Sequence, residues 1–131
     1  MSPQTARKGF VSRYWPVVLW ALLIFGISSV PHLSTPAPTF RIIDKIFHCI
    51  EFGIFGYLLV SAIAATKTSL SPRRIALAFI IGTLYGFFDE MYQSIIPGRA
   101  ADPYDAAADA LGVLTAIILW IALHRRKSLV S

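Results

Sequence analysis

Charged residues are scarce in this sequence, and cysteine is nearly absent. Asp, Glu, Lys and Arg make up 15% of the 131 residues, against 56% hydrophobic residues and a mean hydropathy of +0.64. This apolar content is well above that of a soluble globular domain and indicates a single-domain integral membrane protein. The one cysteine, Cys49, excludes an internal disulfide, and we interpret it as a small packing residue.

A continuous basic surface is also missing, although the formal net charge is +5. The Lys and Arg residues stand in short clusters between apolar runs and do not form the basic stripe that marks a nucleic-acid-binding protein. We therefore expect no nucleic-acid partner. The first apolar run is longer than the ~7–15 residues of a signal peptide and no small-x-small cleavage site follows it, so we expect it to be a retained membrane anchor.

The apolar runs are long enough to cross a hydrocarbon core of ~30 Å. We predict four transmembrane helices at residues 14–30, 44–65, 75–96 and 104–123. Short connections favour an antiparallel bundle, so the predicted fold is all-α. The predicted domain organisation is a cytoplasmic tail at residues 1–13, a transmembrane domain at residues 14–123 and a basic cytoplasmic tail at residues 124–131.

Prolines predict where the first connection lies. Pro31, Pro36 and Pro38 favour a loop over residues 31–43, and Asp44 then stands where a helix N-cap is expected. Nine of the 12 Lys and Arg residues lie in the two tails and the second connection. By the positive-inside rule, both termini are then cytoplasmic.

All seven acidic residues lie toward the opposite, extracytoplasmic end of this predicted bundle. They are Asp44 and Glu51 in the second span, Asp89 and Glu90 in the third, and Asp102, Asp105 and Asp109 at the start of the fourth. Charge within or beside a span is costly and faces a protein interior or a water-filled cavity. We therefore predict a polar pocket in the extracytoplasmic half of the bundle.

Helical spacing places these side chains on common faces. The sets that share a face are Asp44, His48 and Glu51; Asp89 and Gln93; and Asp105 and Asp109. Small residues continue two of these faces toward the cytoplasm, with Gly82 and Gly86 in the third span and Gly112 and Ala116 in the fourth. Because small residues let helix backbones approach closely in lipid, we predict a tightly packed bundle below the pocket.

Four blocks of the sequence carry a family resemblance. They are Asp44-Lys45-Ile46-Phe47-His48 with Phe52, Asp89-Glu90-x-x-Gln93, Pro97-Gly98-Arg99, and Asp105 with Gly112. In these residues and their spacing the chain resembles the VanZ-like family of small bacterial membrane proteins. That family usually has asparagine where this chain has Asp109. It is named for a member associated with resistance to the glycopeptide teicoplanin, so the resemblance implies a cell-envelope role in the bacterial cytoplasmic membrane.

The first hypothesis is that the pocket binds or processes an envelope ligand. The ligand would be a polyprenyl-phosphate-linked or phospholipid headgroup, or a glycopeptide. Lys45, His48 and Arg99 would hold phosphate. Asp89 or Glu90 would accept a proton or a hydroxyl hydrogen bond.

Two other hypotheses stay open beside it. The pocket of a metal-dependent membrane hydrolase would hold Mg²⁺ or Mn²⁺ through His48, Glu51, Asp89 and either Asp105 or Asp109. A transporter-like or scaffold protein would use the acids without catalysis. The sequence therefore predicts a site with catalytic candidates His48, Asp89 and Glu90 and binding candidates Asp44, Lys45, Glu51, Gln93, Arg99, Asp105 and Asp109.

Overall fold

The computed structural model describes residues 3–31, 38–64 and 70–127. These residues form four α-helices, α1 (Pro3–Ser28), α2 (Pro38–Ala64), α3 (Pro72–Gln93) and α4 (Pro103–Lys127), and contain no strand. Each helix includes a segment long and apolar enough to cross a membrane, namely Val11–Ser28, Ile42–Ala64, Pro72–Gln93 and Pro103–His124. The prediction of an all-helical protein with four membrane-spanning helices is confirmed.

All four helices begin at a proline. Proline suits a first helical turn because its fixed φ matches the helix and its missing N–H has no intrahelical partner there. The predicted loop over residues 31–43 is therefore wrong at its C-terminal end, since Pro38 starts α2. Asp44 lies in the second turn of α2, and its prediction as the N-cap is also wrong.

The outer helices are longer than the predicted spans. Helix α1 begins at Pro3 and contains Pro16 within it, and α4 continues to Lys127. Both helices thus extend into segments predicted as tails. Parts of those predicted tails and of the first and second connections, at residues 1–2, 32–37, 65–69 and 128–131, lie outside the described residues.

Glycines bring α4 into close contact with its two main neighbours. A Cβ added at Gly112 would meet the backbone oxygen of Cys49 on α2. One added at Gly56 would lie 2.9 Å from Cα of Val113, and one added at Gly82 on α3 would lie 2.7 Å from Cγ1 of the same valine. Val113 is fully buried, so the predicted tight packing through small residues is confirmed.

Below the polar end of the bundle, the side chains of Trp20 and Tyr85 form hydrogen bonds between α1 and its neighbours. The Trp20 indole Nε1 donates a 2.9 Å hydrogen bond to the backbone oxygen of Glu51 on α2. The Tyr85 hydroxyl on α3 donates a 2.6 Å hydrogen bond to the backbone oxygen of Ala21. Satisfying polar groups between helices stabilises association in lipid, and these bonds fix α1 below the polar end of the bundle.

A tight turn after α3 places Arg99. The chain leaves the helix at Gln93, and Gly98 adopts a φ of 78°, a left-handed conformation that glycine reaches without a steric penalty. The Arg99 amide donates to the backbone oxygen of Ile96 at 3.1 Å, which closes the turn. Arg99 is thereby turned back toward the ends of α1 and α3.

Candidate functional site

Two helix ends and two helix starts meet at the acidic end of the bundle. Ser28 at the end of α1 donates to Asp89 Oδ2 on α3 at 2.7 Å. Lys45 near the start of α2 lies 2.7 Å from Asp105 Oδ1 near the start of α4. The polar residues that the sequence placed at one level therefore come together, and they divide into two networks.

The first network joins α2 to α4. Lys45 Nζ donates to Asp102 Oδ2 at 2.8 Å as well as to Asp105 Oδ1. One turn further along both helices, His48 Nδ1 lies 2.9 Å from Asp109 Oδ1. The i, i+4 spacing of Asp105 and Asp109 on α4 thus matches the i, i+3 spacing of Lys45 and His48 on α2.

Glu90 extends this network to α3. Its Oε2 accepts a 2.9 Å hydrogen bond from the backbone N–H of Asp102, and its Oε1 lies 3.9 Å from His48 Nδ1. Glu90 Oε1 and Asp109 Oδ2 are both buried without a hydrogen-bond partner. We call His48, Glu90 and Asp109 the inner cluster; their side chains are 7%, 5% and 0% exposed.

The second network joins α1 to α3 and ends at Arg99. Asp89 Oδ2 accepts hydrogen bonds from Ser28 Oγ and from Gln93 Nε2, each at 2.7 Å. The other end of the Gln93 amide accepts a 2.7 Å hydrogen bond from Arg99 Nη2, and Arg99 Nη1 donates to the Ile27 carbonyl at 3.3 Å. Within the described ranges, Arg99 forms no salt bridge with a carboxylate.

A cleft of about 460 Å³ opens beside this second network, between α1 and α2. It is lined by Trp20, Ile27, Ser28, Ile43, Asp44, Phe47, His48, Ile50, Glu51, Ile54, Gln93 and Arg99. The order of these residues along the helices places Arg99 and Asp44 at the acidic end of the bundle and Trp20 and Ile54 deeper within the spans. The cleft is therefore polar toward one end and apolar toward the other.

A family model described as VanZ/LLP1 matches residues 3–124 of the chain. The chain belongs to the VanZ-like family. The matched region contains all four membrane-spanning segments and every residue of both polar networks. No curated protein and no solved structure matches the chain.

The predicted site residues of this VanZ-like protein fall into two groups of equal size. Those that line the cleft are Asp44, His48, Glu51, Gln93 and Arg99. Those that lie behind it, within the hydrogen-bonded networks, are Lys45, Asp89, Glu90, Asp105 and Asp109. The carboxylates expected to form one wall of a pocket are thus mostly engaged between helices.

The potential metal ligands that lie close together in the structure differ from the predicted set. Potential ligand atoms lie within 4.8 Å of one another in two groups, Asp44 with His48 and Asp105, and the inner cluster. Glu51 and Asp89, which the metal hypothesis included, belong to neither group. Asp89 Oδ2 instead accepts hydrogen bonds from Ser28 and Gln93.

Sequence reasoning missed the contribution of α1. Ser28 is 3% exposed and supplies one of the two hydrogen bonds to Asp89 Oδ2, and Trp20 and Ile27 line the cleft. The available signal was the polar pair Ser28 and Ser29 at the end of an otherwise apolar run. Serines are common near span ends, so this signal alone does not single out a site residue.

Proposed function

We propose that this VanZ-like protein binds the anionic headgroup of a membrane lipid in the cleft between α1 and α2. The observation that carries the proposal is the position of Arg99, which lines the cleft and forms no salt bridge with a carboxylate among the described residues. A guanidinium has five N–H donors, and hydrogen bonds to Ile27 and Gln93 engage two of its nitrogens. Donors therefore remain for a bidentate contact with a phosphate.

The apolar wall of the cleft suits the chain of such a lipid. Phe47 is 65% exposed and Ile50 is 56% exposed, although both belong to a membrane-spanning segment. In a bilayer these side chains face hydrocarbon, so a lipid can approach sideways with its chain against α2. Ligand sites commonly combine apolar walls with a few convergent polar groups that set orientation.

The carboxylates in the cleft favour a headgroup that carries hydroxyl groups as well as phosphate. Glu51 and Asp44 line the cleft beside Arg99, and an ionised carboxylate accepts hydrogen bonds from hydroxyls. We assign the contact with hydroxyl groups to Glu51 and Asp44. Asp89 and Glu90, to which the sequence hypothesis assigned it, are only 5% and 4% exposed. The phosphate contact is assigned to Arg99 and not to Lys45, because two carboxylates already hold the Lys45 ammonium.

The proposed ligand class is therefore a polyprenyl-phosphate-linked sugar or a phospholipid with a hydroxylated headgroup. If both termini are cytoplasmic, as the distribution of basic residues predicts, the cleft faces the outer leaflet of the bacterial cytoplasmic membrane. A protein that holds a cell-wall lipid carrier there would change susceptibility to glycopeptides, which act on the outer surface. A direct contact with a glycopeptide remains the alternative.

Native mass spectrometry of the full chain in nanodiscs tests this proposal. The nanodiscs contain phosphatidylcholine alone, or phosphatidylcholine doped with phosphatidylglycerol or with a polyprenyl phosphate. We expect the protein to retain a doped anionic lipid in preference to phosphatidylcholine. Replacing Arg99 with glutamine should weaken retention at least ~tenfold, since a hydrogen bond to a charged group contributes ~1.5–3 kcal/mol.

Arg73→Gln provides the matched control. Arg73 is an exposed arginine at the first turn of α3, at the opposite end of the bundle from Arg99. Removing its charge should leave retention in the cleft unchanged. Equal retention of neutral and anionic lipids, or an equal loss in both arginine variants, would refute the proposal.

A further inference from the structure

We infer that the inner cluster of His48, Glu90 and Asp109 binds one divalent first-row metal ion, Mn²⁺ or Zn²⁺. The site lies between α2, α3 and α4; His48 also lines the cleft, whereas Glu90 and Asp109 lie behind it. This inference does not rest on the lipid-binding proposal.

The first argument is the convergence of ligand atoms. One imidazole and two carboxylates, each from a different helix, place potential ligand atoms within 4.8 Å of one another. His48 Nδ1 is 2.9 Å from Asp109 Oδ1 and 3.9 Å from Glu90 Oε1. Atoms that coordinate one ion at ~2.0–2.2 Å are separated by roughly 3–3.5 Å, so small side-chain movements suffice to form a metal site.

The second argument is the state of the carboxylate oxygens. Glu90 Oε1 and Asp109 Oδ2 are buried and have no hydrogen-bond partner, and their residues are 4% and 0% exposed. Buried polar atoms are almost always satisfied, because desolvation without a partner is costly. A cation held by Glu90 and Asp109 would compensate both carboxylates.

The third argument is charge. Lys45 is already shared by Asp102 and Asp105, so it does not balance the inner cluster. Glu90 and Asp109 together carry two negative charges when ionised, and a metal-ligating imidazole is neutral. A divalent ion balances this set, and mixed imidazole and carboxylate ligands suit Mn²⁺ and Zn²⁺ better than hard ions that prefer oxygen alone.

Neighbouring contacts hold the ligands in place. The Asp102 amide donates to Glu90 Oε2 at 2.9 Å, which leaves Oε1 directed toward His48. Gly86 lies against Asp109, and a Cβ at that glycine would be 2.8 Å from Cβ of the aspartate. Such supporting contacts orient metal ligands and limit their rotation.

Metal uptake by the purified full chain in detergent tests the inference. The protein is treated with chelator, dialysed against Mn²⁺ or Zn²⁺ alone without added lipid, and analysed for bound metal. We expect one ion per chain. Glu90→Gln should reduce affinity at least ~tenfold, the lower end of the effect of losing even a supporting group.

Asp89→Asn is the matched control for this test. Asp89 is the adjacent residue on α3 and equally buried, but its Oδ2 accepts from Ser28 and Gln93. Its replacement should lower metal affinity far less than Glu90→Gln does, because Asp89 supplies no ligand atom to the inner cluster. Equal affinities of the two variants would overturn the inference, and so would a folded wild-type protein that takes up neither metal.

If Glu90→Gln does not fold, X-ray absorption spectroscopy of the zinc-loaded wild-type protein tests whether the inner cluster binds the metal. The inner cluster predicts one imidazole in the first coordination sphere. Absence of an imidazole signal would overturn the assignment even if zinc binds. Because no lipid is added, failure here is distinct from failure of the lipid-binding proposal.

Discussion

Replacing Gly112 with alanine should force α4 away from α2. The added Cβ would meet the backbone oxygen of Cys49 and lie 2.9 Å from the backbone nitrogen of Gly53. Both atoms belong to the main chain of α2, so no change of rotamer can make room. Moving α4 away from α2 would also weaken a contact in the site. Asp109 lies one turn before Gly112 on α4, and its Oδ1 is 2.9 Å from His48 Nδ1 on α2.

The expected loss of stability combines opposing contributions. Overpacking typically costs ~1–3 kcal/mol, and a clash between main chains belongs at the upper end. Weakening the buried hydrogen bond between His48 and Asp109 costs about 1 kcal/mol more, part of the ~1.5–3 kcal/mol of a hydrogen bond to a charged group. Alanine recovers ~1 kcal/mol relative to glycine in a helix interior. The net destabilisation of Gly112→Ala is therefore roughly 2–3 kcal/mol.

The assay is reversible unfolding in mixed detergent micelles, with Gly53→Ala as the matched control. Gly53 faces the same interface from α2, but a Cβ there would lie 3.6 Å from its nearest neighbour, the backbone oxygen of Gly112. This ordinary contact distance predicts a variant that is unchanged or up to ~1 kcal/mol more stable. Equal stability of Gly112→Ala and Gly53→Ala would refute the argument that main-chain contact limits the approach of α4.

Two further changes test the polar end in the same unfolding assay. Gly86→Ala places a Cβ 2.8 Å from Cβ of the fully buried Asp109 and should cost ~1–3 kcal/mol, and wild-type stability would show that this aspartate can move freely. Lys45→Met leaves Asp105 buried without its cation and should cost about 2 kcal/mol, less than the ~3–5 kcal/mol of a fully buried pair because the lysine side chain is 29% exposed. Adding Asp105→Leu to Lys45→Met should restore part of that loss, and a larger loss in the double variant would contradict the pairing.

The spans could be predicted because a membrane-crossing helix has a length and composition that few other elements share. The ends of the helices were harder to predict than the spans, because a proline disrupts the interior of a helix but is favourable in its first turn. At Pro38 the second role applies, and α2 therefore begins six residues before Asp44. Local sequence does not distinguish the two roles, because the choice depends on what the first turn packs against.

Residues of the site could be predicted more fully than their pairings. Charge and imidazole within apolar spans identified the charged members of both networks from the sequence alone, but not Ser28. Helical spacing gives the face on which a side chain lies but not the rotation of one helix against another. That rotation is set by contacts such as Gly112 against Cys49. It decides that Lys45 contacts Asp105 of α4, whereas Glu51 lines the cleft.

The adjacent pair Asp89 and Glu90 separates the two networks. Successive residues on a helix point about 100° apart, so one carboxylate of the pair turns toward α1 and the other toward α4. Asp89 is linked through Gln93 to Arg99 at the cleft, whereas Glu90 reaches the Asp102 amide and approaches His48. Each carboxylate belongs to a different network. Asp89→Asn should therefore perturb mainly lipid binding and Glu90→Gln mainly metal binding, so that the binding of the other ligand serves as an internal control in each variant. The two proposals can therefore fail independently in the same protein.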